Sequence, residues 1–301
     1  MTEKIELKVN IKNEGERLDK FISLNLNFSR AQIQKLIKKN LIKVNNGLKK
    51  ANFILKKDNL VDISLPKPKE NKVVPKNLNL KIVYKDRNII AFDKPAGISV
   101  HPSNTEMKPT MVSDLLFHFP TLAKLDKLRP GIVHRLDKDT SGILVVARNK
   151  KVQKYLRQQW KNKKVKKCYI GLVQGILKPE KGIIEAPISR SKANRQKMAI
   201  SLPETGKMAI TKYEVKKYYS GTSLLLIFPK TGRMHQIRVH LASIGHPIVG
   251  DKKYGGNKTK GLLKRQFLHA ASLELKMPNG KILKLESKLS PDLKDFLKKL
   301  K

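Results

Sequence analysis

Arg129-Pro-Gly-Ile-Val-His-Arg-Leu-Asp-Lys-Asp-Thr-Ser-Gly-Ile-Leu-Val-Val-Ala147 is the stretch from which the rest of the chain can be read. It packs Arg135, Asp137, Lys138, Asp139, Thr140 and Ser141 between two apolar, strand-like runs. The run from Ile143 to Ala147 reads as a strand of a buried sheet, so the polar cluster is a charged loop at that sheet's edge. Surface loops are often polar, but this density of charge beside a core strand suggests function. Two carboxylates two residues apart raise an acid/base pair or a magnesium site. The adjacent cations Arg135 and Lys138 favour carboxylates held in ion pairs.

Outward from this stretch, strands are expected at Leu80 to Tyr84, Ile89 to Phe92, Lys166 to Val173, Met208 to Val215, Ser223 to Phe228 and Leu268 to Leu275. Helices are expected at Met111 to His118, Lys151 to Trp160 and Met234 to Ile244, and Ser290-Pro291 opens a last one. Strands outnumber helices and no repeat appears, which predicts an α+β domain and not regular βαβ winding. A second cluster, Pro229-Lys-Thr-Gly-Arg-Met-His-Gln-Ile-Arg-Val-His240, puts Arg233, His235 and Gln236 in the first turn of the helix and Arg238 in the next. His235 and His240 are five apart and share no helix face, and the chain has one cysteine, Cys168, so no zinc site is expected. Histidines in this chain are expected to serve as hydrogen-bonded structural groups.

The amino-terminal block differs in character. Arg17-Leu-Asp-Lys-Phe-Ile has helical spacing, Ser29 can cap a second helix with Ile33, Leu36 and Ile37 on its apolar face, and Leu41 to Asn45 reads as a strand before the Asn46-Gly47 turn. A further strand runs from Leu60 to Leu65. Between Arg30 and Lys57 there are nine basic residues and no acidic one, so this module carries a strongly positive face. The Pro- and Lys-rich segment after it reads as a linker. The division is therefore 1–65, a linker 66–76, and 77–301.

Over the whole chain 65 Lys and Arg oppose 24 Asp and Glu, a formal net charge of +41, yet 40% of residues are hydrophobic. Folded domains facing a polyanion account for both values, and nucleic acid is the first partner to consider. Only 12 of the cations are Arg, and six of those fall in the pairs Arg129/Arg135, Arg190/Arg195 and Arg233/Arg238, where a forked donor has a use that a lysine cannot fill. No run of about 18 apolar residues would span a bilayer, and Met1 to Asn10 holds Glu3 and Glu6 without an apolar run. A cytoplasmic protein with no membrane partner, most simply a monomer, is expected.

Two resemblances follow from these residues. Arg17-Leu-Asp, Ser29-Arg30 and Val44-Asn45 resemble the S4 RNA-binding domain, a small α/β module of two helices and short strands, with Asn40 in place of the usual glycine after the second helix. The resemblance makes Arg17, Arg30, Lys35 and Lys38 candidate RNA contacts. After the linker the motifs run in order: Asp93-Lys-Pro-Ala-Gly with His101-Pro102, His134-Arg-Leu-Asp-Lys-Asp-Thr-Ser-Gly142, Lys167-Cys-Tyr169, Thr231 to His240, Gly245-His-Pro with Gly250-Asp251, and Leu268-His-Ala270. Together they resemble the RluA/RluD-type pseudouridine synthases. This implies a mixed, largely antiparallel sheet with flanking helices, isomerisation of uridines in structured RNA, and no cofactor or metal. By the same resemblance Asp137 is the nucleophile, attacking either the ribose anomeric carbon or C6 of the base. Tyr169 packs on the target uracil and is a candidate base for the C5 proton. Arg238 pairs with the carboxylate, Arg135 helps displace the target nucleotide, and Arg233 contacts RNA. An S4 module in front suggests large-subunit ribosomal RNA as substrate. A tRNA-modifying enzyme and a noncatalytic ribosome-assembly factor are the alternatives, and an intact set of Asp137, Tyr169 and Arg238 argues against the second.

Overall fold

In the amino-terminal unit, alternating apolar residues turn the segments Glu3–Lys8 (β1), Ile42–Val44 (β2) and Leu60–Leu65 (β3) into an antiparallel sheet of order β1-β3-β2. Two helices, Leu18–Asn25 (α1) and Arg30–Lys38 (α2), close it over a core that includes Phe21, Ile22, Ile33, Ile42 and Ile63. Ser29 caps α2 with a reciprocal box: its backbone N–H donates to Gln32 Oε1 at 2.8 Å and its side chain accepts from the Gln32 N–H. Asn40 takes the left-handed conformation that ends the helix, at φ 58°, so asparagine replaces the expected glycine without loss of the turn. Strand β1 is an addition to the expected elements, an edge strand whose only apolar residues are Ile5 and Leu7.

The computed structural model describes residues 3–65, 73–102, 108–126, 128–191, 193–256 and 263–300. It separates into two units, Met1–Asn71 and Lys72–Lys301. Most of the expected linker, residues 66–72, lies outside the described residues. Val73 already packs on the core of the second unit, and the Lys76 N–H donates to the Ser113 carbonyl at 3.0 Å. The second unit thus takes in residues the composition had placed in the linker.

That unit is built on a ten-stranded sheet. Its strands are Lys81–Lys85 (β4), Ile89–Lys94 (β5), Ser141–Ala147 (β6), Lys166–Gln174 (β7), Lys181–Arg190 (β8), Met198–Ile200 (β9), Lys207–Tyr219 (β10), Thr222–Pro229 (β11), Leu268–Lys276 (β12) and Ile282–Glu286 (β13). The order is β4-β5-β6-β12-β7-β11-β10-β8-β9, with β13 paired to β12. Every pairing is antiparallel except β6 with β12, so the largely antiparallel α+β class is as expected. Strand β6 is buried along its whole length because both faces are covered. Leu144 and Val146 meet helix Met111–His118 (α3), and Ile143 and Val145 meet helix Lys150–Lys161 (α4). Helices Gln236–Ser243 (α5) and Pro291–Lys298 (α6) complete the unit.

Two expectations need correction. Strands β8, β9 and β13 were not anticipated: Gly182 and Pro187 interrupt β8, although Pro187 stays in register with Met208. Asn279-Gly280 is the hairpin signal that announces β13. Helix α5 also begins two residues later than expected. His235 sits just before it with a left-handed φ of 55°, so Arg233 and His235 precede the helix and Arg238 lies in its first turn.

One buried carboxylate organises the first unit. Asp19, fully buried, accepts from Arg17 at 3.1 and 3.2 Å, Arg30 at 2.9 Å and Gln34 at 2.8 Å, tying α1 to α2. Burial alone would raise its pKa, but Arg17, Gln34 and Arg30 hold it well below the usual carboxylate range. Asp19→Ala removes the common acceptor of three side chains and is expected to destabilise this unit by about 2 kcal/mol. Faster amide hydrogen exchange across α1 and α2 would register it; unchanged exchange would mean the cluster is dispensable.

Candidate active site

The charged loop before β6 is held from three sides. Lys94, at the end of β5, is fully buried and directs its three N–H groups at the carbonyls of Pro95 (2.7 Å), Ile98 (3.0 Å) and Lys138 (3.0 Å). Burial lowers its pKa to about 7. The Gly97 N–H also donates to the Lys138 carbonyl, at 3.0 Å. From the other side Arg265 donates to the Asp139 carbonyl at 3.1 Å and forks onto Asp292 at 2.7 and 3.0 Å, while Gln266 donates to the Thr140 hydroxyl at 3.2 Å. Gly142 closes the loop at φ 113°, where a Cβ would collide with the Ala270 carbonyl of the parallel neighbour β12. Only glycine permits that approach of the two strands.

This scaffold presents Asp137 to Arg238. Nη1 of Arg238 donates to Asp137 Oδ2 at 2.8 Å, while Nε and Nη2 fork onto Asp251 at 2.6 and 2.8 Å. Asp251 is fully buried and also accepts the Lys253 and Tyr254 N–H groups at 2.9 and 3.1 Å. Burial would weaken the Arg238 charge, but Asp251 and then Asp137 hold its pKa above the ordinary range. The Tyr254 ring lies under the guanidinium, 5.1 Å away, and its hydroxyl meets His235 Nδ1 at 2.7 Å and the Met198 N–H at 2.8 Å. All three guanidinium nitrogens are thereby assigned. One edge is fixed by a buried carboxylate, and the remaining nitrogen faces Asp137, which keeps 18% of its side-chain surface exposed.

Asp137, Tyr169, Arg238, Arg135 and Arg233 all line one cleft of about 560 Å³. Tyr169 reaches it from β7, and burial followed by the nearby Asp137 charge pushes the phenol above its ordinary range. Lys167, two residues back along the same strand, also lines the cleft and donates to the Thr231 carbonyl at 3.2 Å. Its burial and the neighbouring Lys230 lower its pKa to about 8. Arg135 is exposed at the mouth, with Nη1 3.5 Å from His101 Nε2. Arg233 is exposed and donates to the Met208 carbonyl at 3.2 Å. Four histidines are hydrogen-bonded structural groups: His134 to Val145, His240 to Thr211, His246 to Gln174 and His269 to Ser141. Among the described residues no group of three or more His, Cys, Asp or Glu is placed to hold a metal. No helix among them is long and apolar enough to cross a membrane.

The remaining expected RNA contacts belong to the other unit. Lys35 and Lys38 are exposed in the last turn of α2. Arg17 and Arg30 are about half exposed, with one edge committed to Asp19.

The sequence profile of the RNA pseudouridylate synthases matches residues 88–243, more than half of the chain, and that of the S4 domain matches residues 16–61. The chain belongs to the RNA pseudouridylate synthase family. A Bacillus subtilis relative, the uncharacterized RNA pseudouridine synthase YlyB, is 36% identical over 99% of this chain and 98% of its own. The ribosomal large subunit pseudouridine synthase D of Borreliella burgdorferi is 37% identical over 92% and 87% of the two chains. That of Nitrosomonas europaea is 43% identical over 74% and 65%. Among solved structures, human RNA pseudouridylate synthase domain containing 1 superposes with a TM-score of 0.60 at 28% identity, over 72% of this chain and 87% of that one.

This pseudouridine synthase also holds site residues to which the sequence assigned no part. Asp251, Lys94 and Lys167 were noticed only as motif positions, while Tyr254 and Arg265 carried no expectation. A buried lysine whose partners are carbonyls leaves no periodic trace. Asp251 and Tyr254 act on Arg238 from a loop that only the tertiary fold brings to α5.

Proposed function

We propose that this pseudouridine synthase isomerises uridines of large-subunit ribosomal RNA, with Asp137 as the nucleophile. The observation that carries the reading is the Asp137–Arg238–Asp251 chain in a cleft shared with Tyr169. A carboxylate is positioned by a guanidinium that is itself immobilised, and an aromatic ring stands beside it. The reaction breaks the N1 glycosidic bond and forms a C5 to C1′ bond within one nucleotide, then moves the C5 proton to N1. It consumes no external electrons or energy, so a nucleophile, a clamp and a packing surface are a sufficient inventory. Asp137 attacks either the anomeric carbon or C6, and both routes use the same carboxylate.

Burial and the nearby Asp137 charge keep Tyr169 a neutral phenol at neutral pH, so very little of it is in the phenolate form that could accept a proton. Its environment supports packing on the uracil more than removal of the C5 proton. The target base must leave its stack, at a few kcal/mol, and Arg135 at the cleft mouth is the group suited to fill the gap. Arg233 serves the RNA backbone at the same mouth. The ribosomal substrate is supported by the relatives from Borreliella and Nitrosomonas and by the S4 unit. Mapping pseudouridines in all RNA from cells with and without the protein tests the reading. Sites lost from large-subunit ribosomal RNA support it; sites lost only from tRNA overturn the choice of substrate.

Arg17, Arg30, Lys35 and Lys38 are assigned to holding RNA and not to chemistry. Phosphate contacts gain affinity by releasing condensed counterions, so removing this face flattens the salt dependence of binding. A shortened protein beginning at Lys72 is expected to keep its turnover at saturating RNA, with a raised KM and a shallower slope of log affinity against log salt. Some binding persists, because Arg148 to Lys167 supplies ten further cations without an acid. Affinity equal to that of the full chain at every salt concentration would remove the RNA-holding role from the first unit.

A further inference from the structure

Trp160 is the single tryptophan of the chain and stands in the last turn of α4. It stacks on His134, with ring centroids 4.7 Å apart and planes within 18°. His134 is a rigid support: its Nε2 accepts the Val145 N–H of β6 at 2.9 Å, which fixes both ring orientation and tautomer. Burial and the nearby Lys167 charge keep it neutral, with a pKa of about 3. A tryptophan serving only the core would be enclosed by apolar neighbours. Trp160 is only partly buried, touches that core on one side, and lines the same cleft as Asp137.

Its surroundings on the cleft side are cationic. Helix α4 ends at Lys161, and Lys163 takes a left-handed φ of 57° as the chain turns, with its N–H donating to the Trp160 carbonyl at 3.2 Å. This turn leaves Lys161 and Lys163 exposed, and both line the cleft beside the indole. A π-face next to two exposed ammonium groups is the combination that holds a single-stranded nucleotide, base on ring and phosphate on lysine. The cleft, of about 560 Å³, runs on from Asp137 and Tyr169, read above as the residues that meet the target uridine, to Trp160, Lys161 and Lys163.

We propose that Trp160 is a stacking subsite for the base of a nucleotide flanking the target uridine, with Lys161 and Lys163 on its phosphates. The proposal rests on the RNA-modifying reading above. It concerns how the substrate strand is held beside the reacting centre and assigns Trp160 no chemical step.

The single tryptophan makes the test direct. Emission of the full-length protein reports Trp160 alone. Saturation with an unmodified transcript of large-subunit ribosomal RNA is expected to quench it and shield it from acrylamide. Heparin, a polyanion without bases, should bind the cationic surface and leave the emission unchanged. Trp160→Phe keeps a π-face and should retain most of the affinity. Trp160→Leu, apolar but without one, should raise KM about tenfold with kcat little altered, within the range measured for base–aromatic stacking. Unchanged emission with RNA at saturation, or equal quenching by heparin, would overturn the proposal. The emission experiment needs no variant, so poor folding of the Trp160→Leu protein does not obscure the answer. If the transcript binds and quenches but is never isomerised, the stacking subsite stands and the choice of substrate is what fails.

Discussion

Asp137→Asn is expected to lower isomerisation by more than about a thousandfold, on the scale felt when a catalytic nucleophile is removed, while RNA affinity stays nearly unchanged. The structure makes this a clean substitution. Asparagine keeps the size of the side chain and retains an oxygen that can accept the Arg238 Nη1–H. Arg238 remains forked onto Asp251 at 2.6 and 2.8 Å, so the clamp does not collapse when the charge at position 137 is lost. Single-turnover release of label from C5 of uridine is the measurement. A rate within about tenfold of the wild type would remove Asp137 from the nucleophile's role, because effects of that size also follow from small shifts of geometry.

The second large effect is expected at Arg238, and it divides into two parts. Arg238→Lys replaces a fork by a point charge, which cannot hold Asp251 at two oxygens and reach Asp137 as well. The residue's place in a helix suggests that lysine would be tolerated, and on propensity alone it would. The fork onto fully buried Asp251 changes that expectation: stability falls as well as rate. Arg238→Met goes further, since it takes the forked guanidinium away from the fully buried Asp251 carboxylate, a loss of about 3–5 kcal/mol. Adding Asp251→Asn to Arg238→Met should recover much of the stability and none of the turnover. Thermal unfolding and single-turnover rates on the three proteins separate the two roles. Full activity in Arg238→Lys would mean that only the positive charge matters.

These expectations also show where sequence reading reaches its limit. Arg135 and Lys138 flank Asp137 in the chain and suggested its ion-pair partners. Yet the hydrogen-bonded cation is Arg238, 101 residues further on, which the family resemblance had indicated and local pattern had not. Residues one and two apart on a loop have no fixed geometry between their side chains, whereas a guanidinium held by a buried carboxylate does. Helix α5 gives a similar case. Its apolar spacing was visible, but its first turn was set by the left-handed backbone of His235, whose ring is held by Tyr254 from a distant loop.

What the sequence determined by itself was whatever depends on neighbours in the chain. The continuous apolar run of β6, the Ser29 cap, the Asn46-Gly47 turn and the cation-rich, acid-free stretches each follow from local pattern, and with the ordered motifs they were enough for the fold class and the family. Tertiary structure alone decided the electrostatic connections: Lys94 under the loop that carries Asp137, Asp251 and Tyr254 behind Arg238, and Trp160 on His134 at the cleft's edge. The physical reason is that desolvation and Coulomb energy depend on distance through space and on burial. Strand order β5-β6-β12-β7 brings segments from residues 89 to 276 into one sheet, and no periodicity along the chain encodes that approach.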